Sequence, residues 1–305
     1  MIAIILIKKI ITLFLIMFCG FLLVKAGIVT TEQSQPISKM VLYVILPCAI
    51  VGSFQIDYTP EVRDGFLLSL GAAVVIHIIF IIANLILTKI FHLNGVEQAN
   101  IVYSNSANLI FPLVTAMFGS EWIIYTSGFI GVQQVLMWSH GKSILQEIRG
   151  IDLKKLLMNV NMICVFLGLL TFILHVTFPG PIQDAIDTFS SMAGPLAMFV
   201  IGMLIAGMDM KATIMNKRLW FVCLLRMLVM SGLAFLFLHI LSGMQHLSIG
   251  KEVLTISLLA ACAPAASSIT QMAQVYGKDS PYSSAISVLT TLMCILTMPL
   301  FVALF

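Results

Sequence analysis

Apolar runs of helix length alternate with short polar connections along all 305 residues. About 20 apolar residues cross the hydrocarbon core of a bilayer. The pattern therefore predicts ten spans, at 4–24, 37–54, 66–88, 98–118, 122–141, 157–178, 188–208, 219–242, 252–276 and 282–304. Two of them are interrupted by polar residues and proline: the fourth at Asn105-Ser-Ala-Asn108-Leu-Ile-Phe-Pro112, the ninth at Ala261-Cys-Ala-Pro264-Ala-Ala-Ser267-Ser268. Backbone freed by such a break is tolerated in a membrane only where it faces protein, water or a ligand. Two breaks in corresponding positions point to a transport site.

The longest polar connection, Lys142 to Lys155, separates five spans from five. A five-span unit begins and ends on opposite faces, so two tandem copies insert upside down relative to each other. The expected fold is an all-α integral membrane protein of ten transmembrane helices. They form a 5+5 inverted repeat, 1–148 and 149–305, whose helices 4 and 9 are broken and cross at the midplane. Internal similarity agrees. Pro47 in span 2 matches Pro195 in span 7, and the break at Pro112 matches that at Pro264. The stretch from Tyr125 through Gln133-Gln134 aligns without a gap on that from Tyr282 through Thr290-Thr291.

Loops after the odd-numbered spans hold Lys25, Lys39, Lys89, Lys142, Arg149, Lys154, Lys155, Lys211, Lys217, Arg218 and Lys278. The opposite side holds Lys8, Lys9, Arg63 and Lys251, and Arg226 falls inside span 8. By the positive-inside rule the odd loops are cytoplasmic and both termini lie outside. The expected location is the plasma (cell) membrane. The first span follows Lys8-Lys9, but Cys19-Gly20-Phe21 offers no small-x-small cleavage site, so it is expected to be retained.

Composition narrows the classes. Hydrophobic residues make up 60% and charged residues 10%, with a mean hydropathy of +1.08, far from the roughly 25% charged of a soluble domain. The net charge of +3 is scattered, and no Lys/Arg run exceeds a pair, which argues against nucleic acid as a partner. All six cysteines lie in apolar segments without C-x-x-C spacing, so neither a disulfide framework nor a metal site is indicated. Gly141-Lys142-Ser143 lacks the upstream glycine of a phosphate loop, where Leu136 stands instead. No G-x-S-x-G, H-E-x-x-H or mid-membrane carboxylate pair is present. The chain is not expected to be an enzyme, and no cofactor is implied. Aspartates and glutamates fall in loops, where solvation is the default.

The breaks carry the chemistry. Asn100, Ser104 and Asn108 recur every four residues, as one polar stripe on a helix would. Pro112 lacks an N–H and suits the first turn of a new half-helix, and Pro264 is expected to open another bearing Ser267, Ser268, Gln271 and Gln274. A helix N-terminus carries about half a positive charge and unpaired N–H groups. Two of them, with the Asn108 amide and the hydroxyls of Ser267 and Ser268, make an anion site without a buried lysine or arginine. A fixed charge at mid-bilayer costs upward of about 2.5 kcal/mol, whereas a helix terminus offers a carboxylate about 0.3 to 2 kcal/mol at no such cost.

The chain resembles the auxin efflux carrier family, which includes plant auxin exporters and bacterial malonate and malate carriers. The stretches that carry the resemblance are Asn108-Leu-Ile-Phe-Pro112-Leu with Ala116-Met-Phe-Gly119, Gly194-Pro195-Leu-Ala-Met-Phe-Val-Ile-Gly202-Met, Arg226-Met-Leu-Val, Ala263-Pro264-Ala-Ala-Ser267, and Thr290-Thr291-Leu-Met-Cys-Ile-Leu-Thr297-Met-Pro299-Leu. The resemblance implies an elevator-type carrier related in fold to bile acid:sodium symporters. Spans 1, 2, 6 and 7 would form a scaffold that also makes a homodimer, and spans 3–5 and 8–10 a moving transport domain. It places Asn108, Pro112 and Pro264 at the crossover and one of Gln133 and Gln134 along the site. The two adjacent glutamines point about 100 degrees apart, so at most one faces a pocket squarely. Where the plant exporters have an asparagine beside the second proline, this chain has Ala263 and Ala266, and it lacks their long cytoplasmic loop.

The function these features favour is a secondary carrier of a small organic anion, a mono- or dicarboxylate. The alternative is a membrane receptor or sensor that binds a carboxylate in the same pocket without moving it. Arg226, about 12 Å into span 8 at 1.5 Å per residue, either holds a carboxylate or serves structurally, by snorkelling or by bonding loose carbonyls; the structural role is the expectation. His77 is expected to be a hydrogen-bonded packing residue rather than a proton relay. Without a mid-membrane Asp or Glu, proton coupling through a carboxylate is disfavoured, and a sodium site of carbonyls and hydroxyls at the breaks stays open.

Overall fold

The computed structural model describes residues 2–55, 59–119, 122–148 and 157–305, without the side chains of 2–6, 107, 108, 111, 112, 116 and 210. Among the described residues the secondary structure is helical apart from one isolated bridge. In chain order the helices are α1 (Ile2–Lys25), α2 (Ser34–Gly52), α3 (Pro60–Phe91), α4 (Gly95–Val102), α5 (106–118), α6 (123–146), α7 (Val160–Ile173), α8 (Gly180–Ala206), α9 (Met210–Met215), α10 (Lys217–Met244), α11 (Gly250–Ala261), α12 (Ser267–Val275) and α13 (Ser280–Leu304). Six of them, α1, α2, α3, α8, α10 and α13, are long and apolar enough to cross a membrane. This is the fold of an integral membrane protein.

Local chemistry sets the peripheral helix starts. Thr59 accepts from Val62 N at the head of α3, with Pro60 in the first turn. Asn94 and Glu97 form a reciprocal capping box on α4, satisfying two donors that the helix start would leave bare. The Asn216 side chain accepts from Arg218 N at the head of α10, and that of Asp279 from Tyr282 N at the head of α13. At the other ends, His92 after α3 and Gly277 after α12 take left-handed conformations that stop the helix. Wide π-type turns interrupt α2 at Val41–Ile45, α6 at Met137–Gly141 and α10 at Leu225–Met230. Such turns free carbonyls and often mark functional positions.

Two groups of helices pack within themselves. α1 lies along α8 at backbone contact: a Cβ on Gly202 would fall on the Met17 carbonyl, and one on Gly20 on the Phe199 carbonyl. α2 packs on α7 and α8, and Asn161 donates to Leu42 O across that contact at 3.0 Å. In the second group α3 packs on α6 and α11, α10 on α11, and α12 on α13. The groups also pack on each other: α12 lies against α2 and α8, and α13 against α1 and α8.

Several boundaries differ from the sequence expectation. α8 begins at Gly180, well before 188, because Gly180–Ser191 is an amphipathic segment that the apolar-run criterion passes over. The helix of the sixth span ends at Ile173, and the chain beyond is held by Gln55, whose Oε1 accepts from Phe178 N. Glu97, expected to be solvated, is 2% exposed. Arg218 donates to both of its carboxylate oxygens at 2.7 and 2.8 Å, and Tyr282 to one at 3.1 Å. Arg218 also donates to Phe91 O and His92 O, so one guanidinium closes the end of α3 and ties α10 to α4.

Candidate functional site

The segments expected as the fourth and ninth spans are each split in two, and the splits meet. α4 ends at Val102 and Tyr103 turns extended; α11 ends at Ala261, and residues 262–266 run without helix. Ser104 and Ala265 form an antiparallel bridge: Asn105 N donates to Pro264 O at 2.7 Å and Ala266 N to Tyr103 O at 3.0 Å. This pairing satisfies backbone groups that apolar surroundings would otherwise leave bare.

Side chains from neighbouring helices fix both members of the bridge. On α6, Gln133 Oε1 accepts from Ser104 N at 3.1 Å and from Ser104 Oγ at 2.7 Å, while its Nε2 donates to Ser104 O at 2.8 Å and to Ser106 Oγ at 3.0 Å. On α13, Thr290 Oγ1 accepts from Ala265 N at 3.1 Å. Gln133 is thus the glutamine that faces the crossover. Gln134 is also buried, and its Oε1 has no hydrogen-bond partner among the described residues.

The four helix ends at the crossover are of two kinds. The C-termini of α4 and α11 converge on Arg226, which is fully buried on α10. It donates to Ile101 O at 3.2 Å and to Ala261 O and Ala263 O at 2.7 Å each, with its guanidinium 5.6 Å from the Phe80 ring. It therefore bonds loose carbonyls and does not snorkel. The N-termini of α5 and α12 also meet, Ser267 Oγ lying 3.4 Å from Asn105 Oδ1. Ala266, the residue at the head of α12, supplies no side-chain cap, unlike the peripheral starts of α3, α4, α10 and α13.

The predicted residues fall as follows. The side chains of Asn108 and Pro112 lie outside the described residues; their backbone runs through α5, downstream of the break, which sits at Tyr103–Asn105 rather than at 105–112. Pro112 stands in the first turn of the regular α-helical stretch Phe111–Phe118, which follows a wide π-type turn at Ser106–Ile110. Pro264 lies in the break and supplies a bridge carbonyl, and α12 opens three residues later at Ser267. Ser267 is fully buried at that start and Ser268 half-buried beside it. The predicted stripe does not form as one face, because α4 stops before Ser104. Asn100 instead donates to Val96 O and to Ser283 Oγ on α13. His77 packs 4.9 Å from the Phe129 ring with Nδ1 2.7 Å from Ala73 O, as a packing histidine does. Gln271, one turn into α12, is fully buried, and among the described residues neither of its amide atoms has a hydrogen-bond partner.

Sequence reasoning did not single out Ser104 as a bridge residue or Thr290 as its counterpart's holder. The gapless alignment of Gln133 with Thr290 was the available signal. The sequence matches the family described as Membrane transport protein over residues 5–159 and 142–302. Comparison with curated proteins finds no match.

Proposed function

Because the chain belongs to the membrane transport protein family, that of the auxin efflux carriers, we propose that it is a secondary carrier of a small organic anion, a mono- or dicarboxylate. The observation that carries this reading is the sorting of helix ends at the crossover. Both C-termini are closed by Arg226, while the two N-termini meet at Ser267 and Asn105, and α12 starts without a side-chain cap. Each N-terminus offers about half a positive charge and oriented N–H donors, so an anion is the complementary ligand. Asn108, Pro112, Pro264, Ser267, Ser268 and Gln133 are its proposed surroundings.

The carrier has ten spans in a 5+5 inverted repeat, with α4–α5 as the fourth and α11–α12 as the ninth. Supporting this, Gln133 and Thr290, which align between the halves, each bond a member of the same bridge. Pro47 and Pro195 each follow an irregular turn, at Val41–Ile45 and at Met192. The scaffold of α1, α2, α7 and α8 forms a homodimer, and the remaining helices move against it as an elevator. The protein sits in the plasma membrane with both termini outside.

Reconstitution tests the reading. Vesicles preloaded with radiolabelled acetate, malonate or malate are expected to exchange at least one of them through the protein, with the label recovered unchanged. Saturable binding without flux for every acid would indicate a receptor and overturn the carrier.

A further inference from the structure

The C-terminal ends of α4 and α11 pose an electrostatic problem that the anion site does not solve. Each presents about half a negative charge and carbonyls that have run out of helical donors. Ile101 O, Ala261 O and Ala263 O, one from the first broken span and two from the second, point at a common place, and the group that fills it is the Arg226 guanidinium. One full positive charge against two half charges leaves the place close to neutral. Among the described residues Arg226 makes no ion pair with a carboxylate, its Nε has no acceptor, and it is fully buried. An arginine this deep is costly unless the surrounding dipoles demand a cation. The wide turn Leu225–Met230 and the Phe80 ring beneath the guanidinium complete its seat.

In carriers with broken helices, unwound carbonyls and half-helix C-termini are where a coupling sodium ion is coordinated. We infer that Arg226 is the resident cation of this crossover. Its guanidinium occupies the place where the two helix C-termini would otherwise take up a metal cation, and the anion is moved without a sodium ion bound there. A sodium ion would need the same carbonyl oxygens, and two cations on one set of carbonyls repel each other. The statement about flux rests on the carrier reading; the statement about the cation seat rests on the Arg226 geometry alone.

The experiment has a binding arm and a flux arm. In the binding arm, purified wild type and Arg226→Ala are melted in choline chloride with and without millimolar guanidinium chloride. Arg226→Ala is expected to melt lower than wild type and to regain part of the loss with guanidinium but not with tetramethylammonium, which has no N–H donors. Wild type is expected to be indifferent to both. In the flux arm, exchange of radiolabelled malonate and malate by wild type is measured with sodium and with choline as the only added cation. Rates within twofold of each other are expected, and Arg226→Ala is expected to lose at least tenfold in choline and recover with guanidinium. Arg226→Lys, which keeps the charge but not the fork, is expected to retain sodium-independent flux at a reduced rate and stands in if the alanine variant cannot be purified. A tenfold fall of wild-type flux on replacing sodium, or an Arg226→Ala protein that melts and transports like wild type in choline, would overturn the inference. Absence of flux from wild type in every buffer would count against the carrier reading instead, and the melting arm would still decide the cation seat.

Discussion

Gln133 and Thr290 hold the two members of a single backbone bridge: Gln133 bonds Ser104, Thr290 bonds Ala265, and Ser104 pairs with Ala265. The loads they carry differ. Gln133 satisfies the N–H and C=O of Ser104 together with two hydroxyls, whereas Thr290 accepts one N–H and passes its own proton to Ile286 O at 2.7 Å. Leaving a buried group unsatisfied costs about 1 to 3 kcal/mol. Thr290→Val, which keeps the shape, is expected to lose about that much stability, and Gln133→Leu more, because it strands several groups at once. Denaturation of the purified variants in detergent measures both. Equal losses would mean that the bridge is held by something other than these side chains.

The contact of α1 with α8 depends on the absence of two side chains. Gly202→Ala would place its methyl group on the Met17 carbonyl, and backbone cannot swing away as a side chain can. Overpacking of this kind costs typically 1 to 3 kcal/mol. Gly71→Ala is the control, since a Cβ there meets nothing within 4 Å. The first variant is expected to melt several degrees lower and the second to melt like wild type. A Gly202→Ala protein as stable as the control would show that α1 and α8 separate readily.

The six helices long and apolar enough to cross a membrane were legible because apolar length is a local property. The position of the break in the fourth span was not, and its error is instructive. Proline drew the reading to 105–112, but Pro112 marks the start of the regular α-helical stretch Phe111–Phe118, behind the wide turn Ser106–Ile110, and so points downstream of the place where the span actually opens. The break itself is made by Tyr103–Asn105 pairing with Pro264–Ala266, a contact across about 160 residues with no local signature. The same limit hid Glu97. A glutamate after Asn94 reads as a helix cap, which it is, but its burial comes from Arg218, 121 residues away. Arg226 was better placed, since an arginine deep in an apolar run has few partners besides loose carbonyls, and those are what it bonds. Which glutamine faced the crossover needed the rotation of α6, a fact that only packing sets.

The proposed topology rests on the distribution of cations. If the odd loops are cytoplasmic, as proposed, Ser143→Cys in a cysteine-depleted background is expected to react with an impermeant thiol reagent only after the cytoplasmic side is opened. Phe305→Cys is expected to react from outside. Labelling of both from the same side would sink the ten-span arrangement.

The proposed anion site predicts an ordered series at Asn108. Asn108→Asp sets a like charge near the bound carboxylate and replaces two donors by acceptors, for an expected cost of about 2 to 4 kcal/mol, roughly 30- to 1000-fold in affinity. Asn108→Ala removes the donors without the repulsion and is expected to cost about 1 to 2 kcal/mol. Apparent affinity for the best exchanged acid at neutral pH measures both. An Asp variant that transports as well as wild type would remove Asn108 from the site.

The elevator reading makes its sharpest demand where α12 meets α2. Ser38 Oγ donates to Gln274 Oε1 at 2.6 Å, and Gln274 Nε2 donates to Ser34 Oγ at 2.5 Å. These bonds join a helix of the crossover to a helix of the proposed scaffold, so one rigid-body stroke must break both. Their partners are short polar side chains on otherwise apolar helices, and each bond is worth about 0.5 to 1.5 kcal/mol net, small enough to break in every cycle. Joining Ser38→Cys to Gln274→Cys with a short, reducible bis-thiosulfonate reagent in a cysteine-depleted protein is therefore expected to stop exchange at least tenfold, and reductant to restore it. Gln274→Cys alone, treated identically, is expected to keep its flux, which separates loss of the bonds from loss of the motion. The same reagent across Gly202→Cys and Met17→Cys is not a usable control, because that contact leaves no room for a side chain. Joining α2 to α7 through Leu42→Cys and Asn161→Cys, both on the scaffold, is expected to leave exchange intact. Flux that survives the 38–274 link would mean that α12 and α2 travel together, and the division of the helices into scaffold and transport domain would have to be redrawn.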